Sequence, residues 1–206
     1  MAKPFLTDES KKALSEAVAA VEAQSSAELV LAVRERSGSY LHADLLVGIA
    51  AGVATLAALL YSPWEFALIW FLIDPVVIGA LAGLLASRVP ALRRLLTHEG
   101  ARRSRVETAA RDTFVEKRLH RTTGRTGILL YISLLEREVA AVVDLGCESL
   151  AATDAWAREI AAIREEVRRG MGGNAVAETI RALAPVLAPA LERGAEDVNE
   201  LPDEVC

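Results

Sequence analysis

Cysteine is scarce in this chain, and the motifs of several common enzyme classes are missing. Its 206 residues include only Cys147 and Cys206, which are too few for a disulfide framework and lack metal-ligand spacing. So few cysteines suit a reducing compartment. The sequence contains no P-loop, no Gly-x-Ser-x-Gly, no Cys-x-x-Cys and no His-Glu-x-x-His. No nucleotide hydrolase, serine hydrolase, dithiol oxidoreductase or zinc protease is therefore indicated by its usual motif.

Charge is almost absent from two long apolar runs. The first covers about 43–61 and has no charge after Asp44, and the second covers about 66–87 with Asp74 as its single charge. A helix of roughly 20 apolar residues crosses the hydrocarbon core of a bilayer, so each run is long enough to span. The alternative is a buried helical hairpin of a soluble protein, which rarely runs so long without charge. We therefore predict a transmembrane helical hairpin over 41–88.

Arginines flank the two runs but are absent from the turn between them. Two precede the first run and six follow the second: Arg34, Arg36, Arg88, Arg93, Arg94, Arg102, Arg103 and Arg105. Such an excess of Lys and Arg marks the cytoplasmic side of membrane spans. We expect two spans in the cell (inner) membrane, with the Pro63-Trp64 turn outside. Both termini and the soluble domain would then be cytoplasmic.

Small residues within the runs indicate close helix packing. Gly48 and Gly52 in the first run are spaced as in the Gly-x-x-x-Gly motif, and so are Gly79 and Gly83 in the second. Small residues one turn apart let two helix backbones approach closely. The pairs fit either a contact between the two helices of one chain or a contact between protomers. A homo-oligomer is therefore one of two open alternatives.

Asp74 is the one carboxylate inside the second run. A charged group near the middle of a bilayer costs about 2.5–3.5 kcal/mol on insertion scales. It can hydrogen-bond at the kink expected at Pro75, where backbone carbonyls are freed, or it can serve a proton or ion pathway. It can also contact a basic residue of a partner helix, which is the interpretation we favour. Two spans alone make a transporter or channel subunit a remote alternative.

The net charge of −5 is unevenly distributed along the chain. Residues 88–125 hold 11 Lys and Arg against 4 acids, whereas 192–206 hold 6 acids against Arg193. The basic stretch follows a membrane exit, which favours contact with anionic lipid headgroups. It has no base-stacking aromatic residues, so a nucleic-acid partner is not expected. We predict a solvated acidic tail over 195–206.

Hydrophobic periodicity divides the remaining chain into helices and strands of one α/β domain, formed by 1–40 and 89–194. Helical patterns cover about 8–24, 99–119 and 151–169, and a last one begins at Asn174 and is kinked or split by Pro185 and Pro189. Strand-like runs cover 27–34, 128–134 and 139–144. The last two are separated by four residues, which predicts an antiparallel hairpin, whereas the first can pair in parallel. The expected fold is α/β, a small mixed sheet flanked by helices and interrupted by the transmembrane hairpin.

The order of these pieces resembles the TPM domain family. The resemblance is carried by Ser25-Ser26-Ala27-Glu28-Leu29-Val30, Thr126-Gly127-Ile128-Leu129-Leu130-Tyr131-Ile132-Ser133, Glu136-Arg137-Glu138-Val139, Val143-Asp144-Leu145-Gly146 and Trp156. That family is named for a thylakoid lumen protein, a photosystem II repair protein and a modulator of a levamisole-gated receptor. The resemblance implies a membrane-tethered α/β sandwich, with relatives that are acid phosphatases, bind divalent metal or assist membrane complexes. Here, unlike in the family, the hairpin interrupts the domain.

Two groups of polar residues are candidates for chemistry. His120, Arg121 and Arg125 lie in a Gly-containing loop before a strand, where guanidinium groups and amides can bind a phosphate oxyanion. The alternative is a basic loop that faces lipid headgroups or acids of its own domain. Asp144, Glu148 and Asp154 follow the next strand, and such carboxylates can hold Ca²⁺ or Mg²⁺. Asp154 fits equally well as an ordinary acid in the first turn of a helix.

Two function classes follow from these patterns. The first is a membrane-anchored accessory factor for a membrane protein complex, which acts through a membrane or cytoplasmic protein partner. The second is a metal-assisted phosphatase of the TPM type that uses the loop at 120–126 and Asp144. Turnover of a phosphate ester by the purified protein separates the two.

Overall fold

A computed structural model describes residues 5–122 and 124–191. The predicted acidic tail, Cys206 and Thr123 lie outside the described residues. The chain forms two compact units: an α/β unit of residues up to Ser37 and from Arg102 onward, and a hairpin unit of Gly38–Ala101. The elements are α1 (Asp8–Glu22), β1 (Glu28–Arg34), α2 (Leu41–Leu60), α3 (Leu68–Ala86), α4 (Pro90–Leu95), α5 (Glu99–Glu116), β2 (Gly127–Ser133), β3 (Glu138–Val143), α6 (Glu148–Ala151), α7 (Asp154–Arg169), α8 (Gly173–Arg181) and α9 (Ala184–Leu187).

The α/β unit contains a three-stranded sheet in the order β1-β2-β3. Strand β1 runs parallel to β2, with Glu28 opposite Gly127, and β2 runs antiparallel to β3, with Ser133 opposite Glu138. The central strand β2 is buried along its whole length, as its continuous apolar run predicts. The predicted mixed sheet, with a parallel crossover and an antiparallel hairpin, is thus confirmed.

Helices cover both faces of this sheet. On one face α1, α7, α8 and α9 pack their apolar stripes on alternate strand residues, among them Leu31, Leu130 and Ile132. On the other face α5 contributes Val106, Ala110 and Phe114 against the intervening strand residues. Period-2 strands and period-3.6 helices generate this layered core. Thr7 caps α1 and Thr153 caps α7, each by accepting a hydrogen bond from a backbone amide in the first turn.

Several element ends differ from the sequence prediction for local reasons. The helix predicted to run to residue 119 ends at Glu116, because Arg118 takes a left-handed conformation with φ 58° and a 3₁₀ turn follows. The last helix is split as predicted, with Pro185 in the first turn of α9. Its predicted cap was wrong, since Gly172 occupies the N-cap and Asn174 lies inside α8.

The hairpin unit consists mainly of two long apolar helices. Helix α2 has 20 residues and α3 has 19, and both are long and apolar enough to cross a membrane. Only 6% of the most apolar window of each helix is buried within the described chain. Their ends lie within two residues of the predicted boundaries. After α3 the chain forms the short helix α4, which begins at Pro90.

Candidate functional site

The two long helices touch through glycine. A Cβ atom placed on Gly48 would lie 2.8 Å from the carbonyl oxygen of Gly79, and one placed on Gly79 would lie 2.8 Å from the carbonyl oxygen of Gly48. Both distances are shorter than any normal contact of a Cβ atom with oxygen. Backbone therefore rests directly on backbone at this crossing, which residues with side chains could not permit.

The other two glycines of the Gly-x-x-x-Gly pairs extend this contact in both directions. A Cβ on Gly52 would lie 2.9 Å from the Pro75 carbonyl oxygen, and one on Gly83 would lie 3.0 Å from the Asp44 carbonyl oxygen. All four glycines thus pack the two helices of one chain against each other. Of the two alternatives left open by the sequence, this is the intrachain contact.

An ion pair links α2 to α4 within the hairpin unit. The guanidinium of Arg93 on α4 donates from Nε and Nη2 to the two carboxylate oxygens of Asp44, at 3.0 and 2.6 Å. Both side chains are about seven-eighths buried, with 14% and 13% of their surface exposed. The hydrogen bonds raise the pKa of Arg93 above its already high ordinary value. Sequence reasoning missed this pair, because 49 residues separate its members.

Asp74 is half-buried in α3 and directly precedes Pro75. Its side chain has no hydrogen bond or ion pair with any residue in the described part of the chain. The structure therefore does not provide the intrachain hydrogen bond at the Pro75 kink that was one alternative for this carboxylate.

The loop before β2 is folded tightly against the turn after β3. His120 and Arg121 lie in the 3₁₀ turn Leu119–Arg121. Arg125 has φ 52°, and its amide donates to the Thr122 carbonyl at 3.0 Å. A Cβ on Gly146 would lie 2.6 Å from the Arg125 carbonyl oxygen, so only glycine fits beside this loop. The turn that contains Gly146 therefore packs directly against the backbone of this loop.

Asp144 is brought next to this loop. It is buried, one oxygen accepts from the Leu145 amide at 2.8 Å, and the same oxygen lies 3.9 Å from a guanidinium nitrogen of Arg125. Its second oxygen, Oδ2, is buried without a hydrogen bond among the described residues. Arg125 therefore faces an acid of its own domain, as one sequence alternative had it.

The three metal candidates are not brought together in this way. No group of three or more His, Cys, Asp and Glu side chains that could hold a metal ion occurs in residues 5–122 and 124–191. Glu148 begins α6, and Asp154 begins α7 after its Thr153 cap. Between Asp144 and α6, Cys147 is buried, and burial raises the pKa of its thiol to about 11. The thiol is therefore protonated and unreactive at neutral pH.

Sequence reasoning also missed two buried acids at the β2–β3 turn. Glu136 accepts from the Ser37 amide at 3.0 Å and from the Ser133 hydroxyl, and only 2% of it is exposed. Glu138 is equally buried and pairs with Arg168 and with Arg164 of α7. The sequence signal that could have revealed this pairing is the spacing of Arg164 and Arg168, which lie four residues apart on one face of α7. Both acids tie the turn to other elements of the α/β unit.

The architecture defines a class: an α/β protein with a three-stranded mixed sheet and an apolar helical hairpin inserted after its first strand. No protein-family model and no curated protein sequence matches the chain. Among solved structures it is similar to the NMR structure of the BA42 protein from the psychrophilic bacterium Bizionia argentinensis. The TM-score is 0.59, the sequence identity 16%, and the match covers 100% of this chain and 97% of that one. Such a likeness establishes a common fold alone.

Proposed function

We propose that this chain is a membrane-anchored accessory factor whose TPM-like α/β unit acts on a protein partner at the cytoplasmic face. The observation that carries the proposal is the surface of the hairpin unit, where two helices of membrane-spanning length leave nearly all of their apolar side chains exposed. So large an apolar surface is unfavourable in water and is satisfied by lipid. The helices pair through glycine backbones, as helices do in bilayers.

Asp74 supports a role in assembly with another membrane protein. A carboxylate with no partner in the described chain is expensive in hydrocarbon, and a basic or hydrogen-bonding group on a neighbouring helix would offset that cost. The arginine excess around the two helices supports a cytoplasmic α/β unit, because positive residues are retained on that side. Anionic lipid headgroups would contact the same basic flank.

A metal-assisted phosphatase of the TPM type is the second candidate. It is favoured by the buried Oδ2 of Asp144, which lacks a hydrogen-bond partner among the described residues and lies beside the Arg125 loop. Ca²⁺ or Mg²⁺ would be the matching hard cation for a carboxylate oxygen. Against it stands the pairing of Arg125 with that same Asp144, which occupies the guanidinium nearest to the carboxylate.

Two experiments on the full chain separate these functions. We expect it to stay in the membrane pellet at alkaline pH, and photo-cross-linking residues on the exposed surface of the α/β unit to give adducts with a protein partner in cells. We also expect purified protein in detergent to release no phosphate from a phosphate ester with Mg²⁺ or Ca²⁺. Turnover that Asp144→Asn abolishes would replace the accessory role with the phosphatase. Release from the membrane at alkaline pH would contradict the anchor.

A further inference from the structure

The last strand of the sheet has an open edge. The sheet order β1-β2-β3 leaves β3 paired on one side only. The Asp144 amide donates to the Gly127 carbonyl, which fixes the alternation of the antiparallel ladder. Residues 138, 140 and 142 therefore pair inward with β2. The backbone N–H and C=O groups of Val139, Ala141 and Val143 point outward.

One of these outward groups already has a hydrogen-bond partner, whereas those of Ala141 and Val143 have no backbone partner among the described residues. The Val139 carbonyl accepts from Nη2 of Arg164 at 3.3 Å. No residue of the described chain gives a backbone hydrogen bond to the outward groups of Ala141 or Val143. Such a row of unpaired groups is a template for another strand.

The second half of strand β3 lacks the usual protection of a sheet edge, whereas the first half is shielded by the buried Glu138 and by Arg164. Natural edges carry lysine, proline or a bulge that discourages pairing with another chain. The sequence of β3 is Glu-Val-Ala-Ala-Val-Val, and its second half is partly exposed to solvent. A short apolar edge that stays accessible therefore suits a strand that receives a partner.

The edge forms the floor of a groove within the α/β unit. Helix α5 supplies one wall with Arg103, Glu107 and Arg111, which are spaced i, i+4 and i+8. Helix α7 supplies the other wall with Trp156, Ile160 and Arg164 at the same spacing, and the groove encloses about 420 Å³. A segment lying on β3 would thus turn alternate side chains toward the two walls.

The walls differ in charge and polarity. On α5 the side chain of Arg111 is exposed and has no ion pair with any described residue, whereas Arg103 pairs with Glu107 at 3.0 Å. The α7 wall presents Trp156 and Ile160, which are almost entirely buried with 5% and 7% of their surface exposed, and Arg164, which pairs with Glu138. Acidic side chains would therefore complement Arg111 on the α5 wall, and small apolar side chains would cover the exposed remainder of Trp156 and Ile160 on the α7 wall.

We propose that β3 accepts, as a fourth strand, an extended segment of a partner protein in which acidic and apolar residues alternate. The backbone of that segment pairs with Ala141 and Val143, and its acidic side chains reach Arg111. The proposal rests on the proposed function, in which the α/β unit acts on a protein partner, and it names the site and the chemistry of that contact.

The test uses the full chain in lipid nanodiscs and a fluorescent peptide of alternating glutamate and valine. We expect saturable binding by fluorescence anisotropy, and none for a peptide of alternating lysine and valine. Two N-methylated versions of the glutamate–valine peptide are compared, one methylated at every glutamate amide and the other at every valine amide. One version should lose binding and the other should keep it, because only one edge of a bound strand faces β3. Equal effects of both methylation patterns would overturn strand addition.

Substitutions in the groove locate the peptide. Arg111→Glu should weaken binding about tenfold, and more at low salt, because it reverses the free charge of the α5 wall. Arg158→Glu is the matched control, since Arg158 is exposed on α7 outside the groove, and it should leave binding unchanged. Ala141→Pro removes an outward N–H without touching the pairs with β2, and it should abolish binding while the circular dichroism of the chain persists.

Other occupants give distinct and contrary outcomes. A dimer that Ala141→Pro dissociates would assign the edge to a second copy of the chain. Peptide binding that appears only after removal of residues 192–206 would assign it to the chain's own acidic end. Equal effects of Arg111→Glu and Arg158→Glu would reduce the contact to general charge attraction, and each of these results overturns the proposal. If the peptide fails while cross-linked partner adducts form elsewhere on the α/β unit, the proposed function stands and only this site falls.

Discussion

The contact between Gly48 and Gly79 offers the sharpest test of the hairpin. In Gly48→Ala the new methyl group would lie 2.8 Å from the Gly79 carbonyl oxygen, about 0.6 Å short of the 3.4 Å at which ordinary contact begins. The atom it meets is backbone, so the helices themselves must separate. An extra methyl group forced into a packed interface costs about 1–3 kcal/mol.

Helix propensity works in the opposite direction at this position. Alanine is favoured over glycine in a helix by about 1 kcal/mol, so the net loss for Gly48→Ala should be about 0–2 kcal/mol. The matched control is Ala50→Gly on the exposed face of the same helix, which loses the propensity without any packing change. It should cost at most about 1 kcal/mol and thereby calibrate the propensity in this helix.

The assay follows the pairing of the two helices during an SDS titration of the chain in mild detergent micelles. Pyrene labels on cysteines introduced at Leu45 and Leu84, which line one groove of the hairpin unit, give excimer fluorescence while the helices are paired. Cys147 and Cys206 are replaced by alanine and serine in this background. A Gly48→Ala chain that is more stable than the parent by the full propensity measured with Ala50→Gly would refute the backbone contact.

Three further predictions concern single side chains. Asp44→Arg and Arg93→Asp should each destabilise the hairpin by about 1.5–3 kcal/mol in the same titration, and the double swap should recover most of the loss; no recovery would contradict the ion pair. Because the pKa of Cys147 is raised from 9.0 to about 11, its contribution to stability is complete below pH 9 and lost as the pH rises toward 11. The free energy of unfolding of the parent should fall across that window, and Cys147→Ala should remove this part of the decline. Asp74→Asn should leave hairpin stability within about 0.5 kcal/mol and weaken cross-linking to the membrane partner; unchanged cross-linking would argue against a contact at Asp74.

The features that the sequence predicted correctly are those with short-range signals. Continuous apolar runs located α2 and α3, and the four-residue gap between β2 and β3 required an antiparallel hairpin. The split of the last helix followed from Pro185, whose ring and missing N–H fit only the first turn of a helix.

What the sequence could not supply are contacts between distant residues. Glu136 and Glu138 look like solvated turn acids in sequence, yet both are buried because Ser37 and α7 bring donors to them. Arg125 faces Asp144 only because β2 and β3 place the two loops at one end of the sheet. Local patterns identify acids and bases but not which of them meet in the fold.

The most direct test of the central claim is the topology of the full chain in cells. A reporter active only in the cytoplasm and one active only after export are fused in turn to the C-terminus and inserted at the Pro63-Trp64 turn. A membrane-anchored factor with a cytoplasmic α/β unit predicts the cytoplasmic signal at the C-terminus and the export signal at the turn. The reverse pattern would place the α/β unit outside the cytoplasm, and cytoplasmic signals at both positions would contradict the two spans.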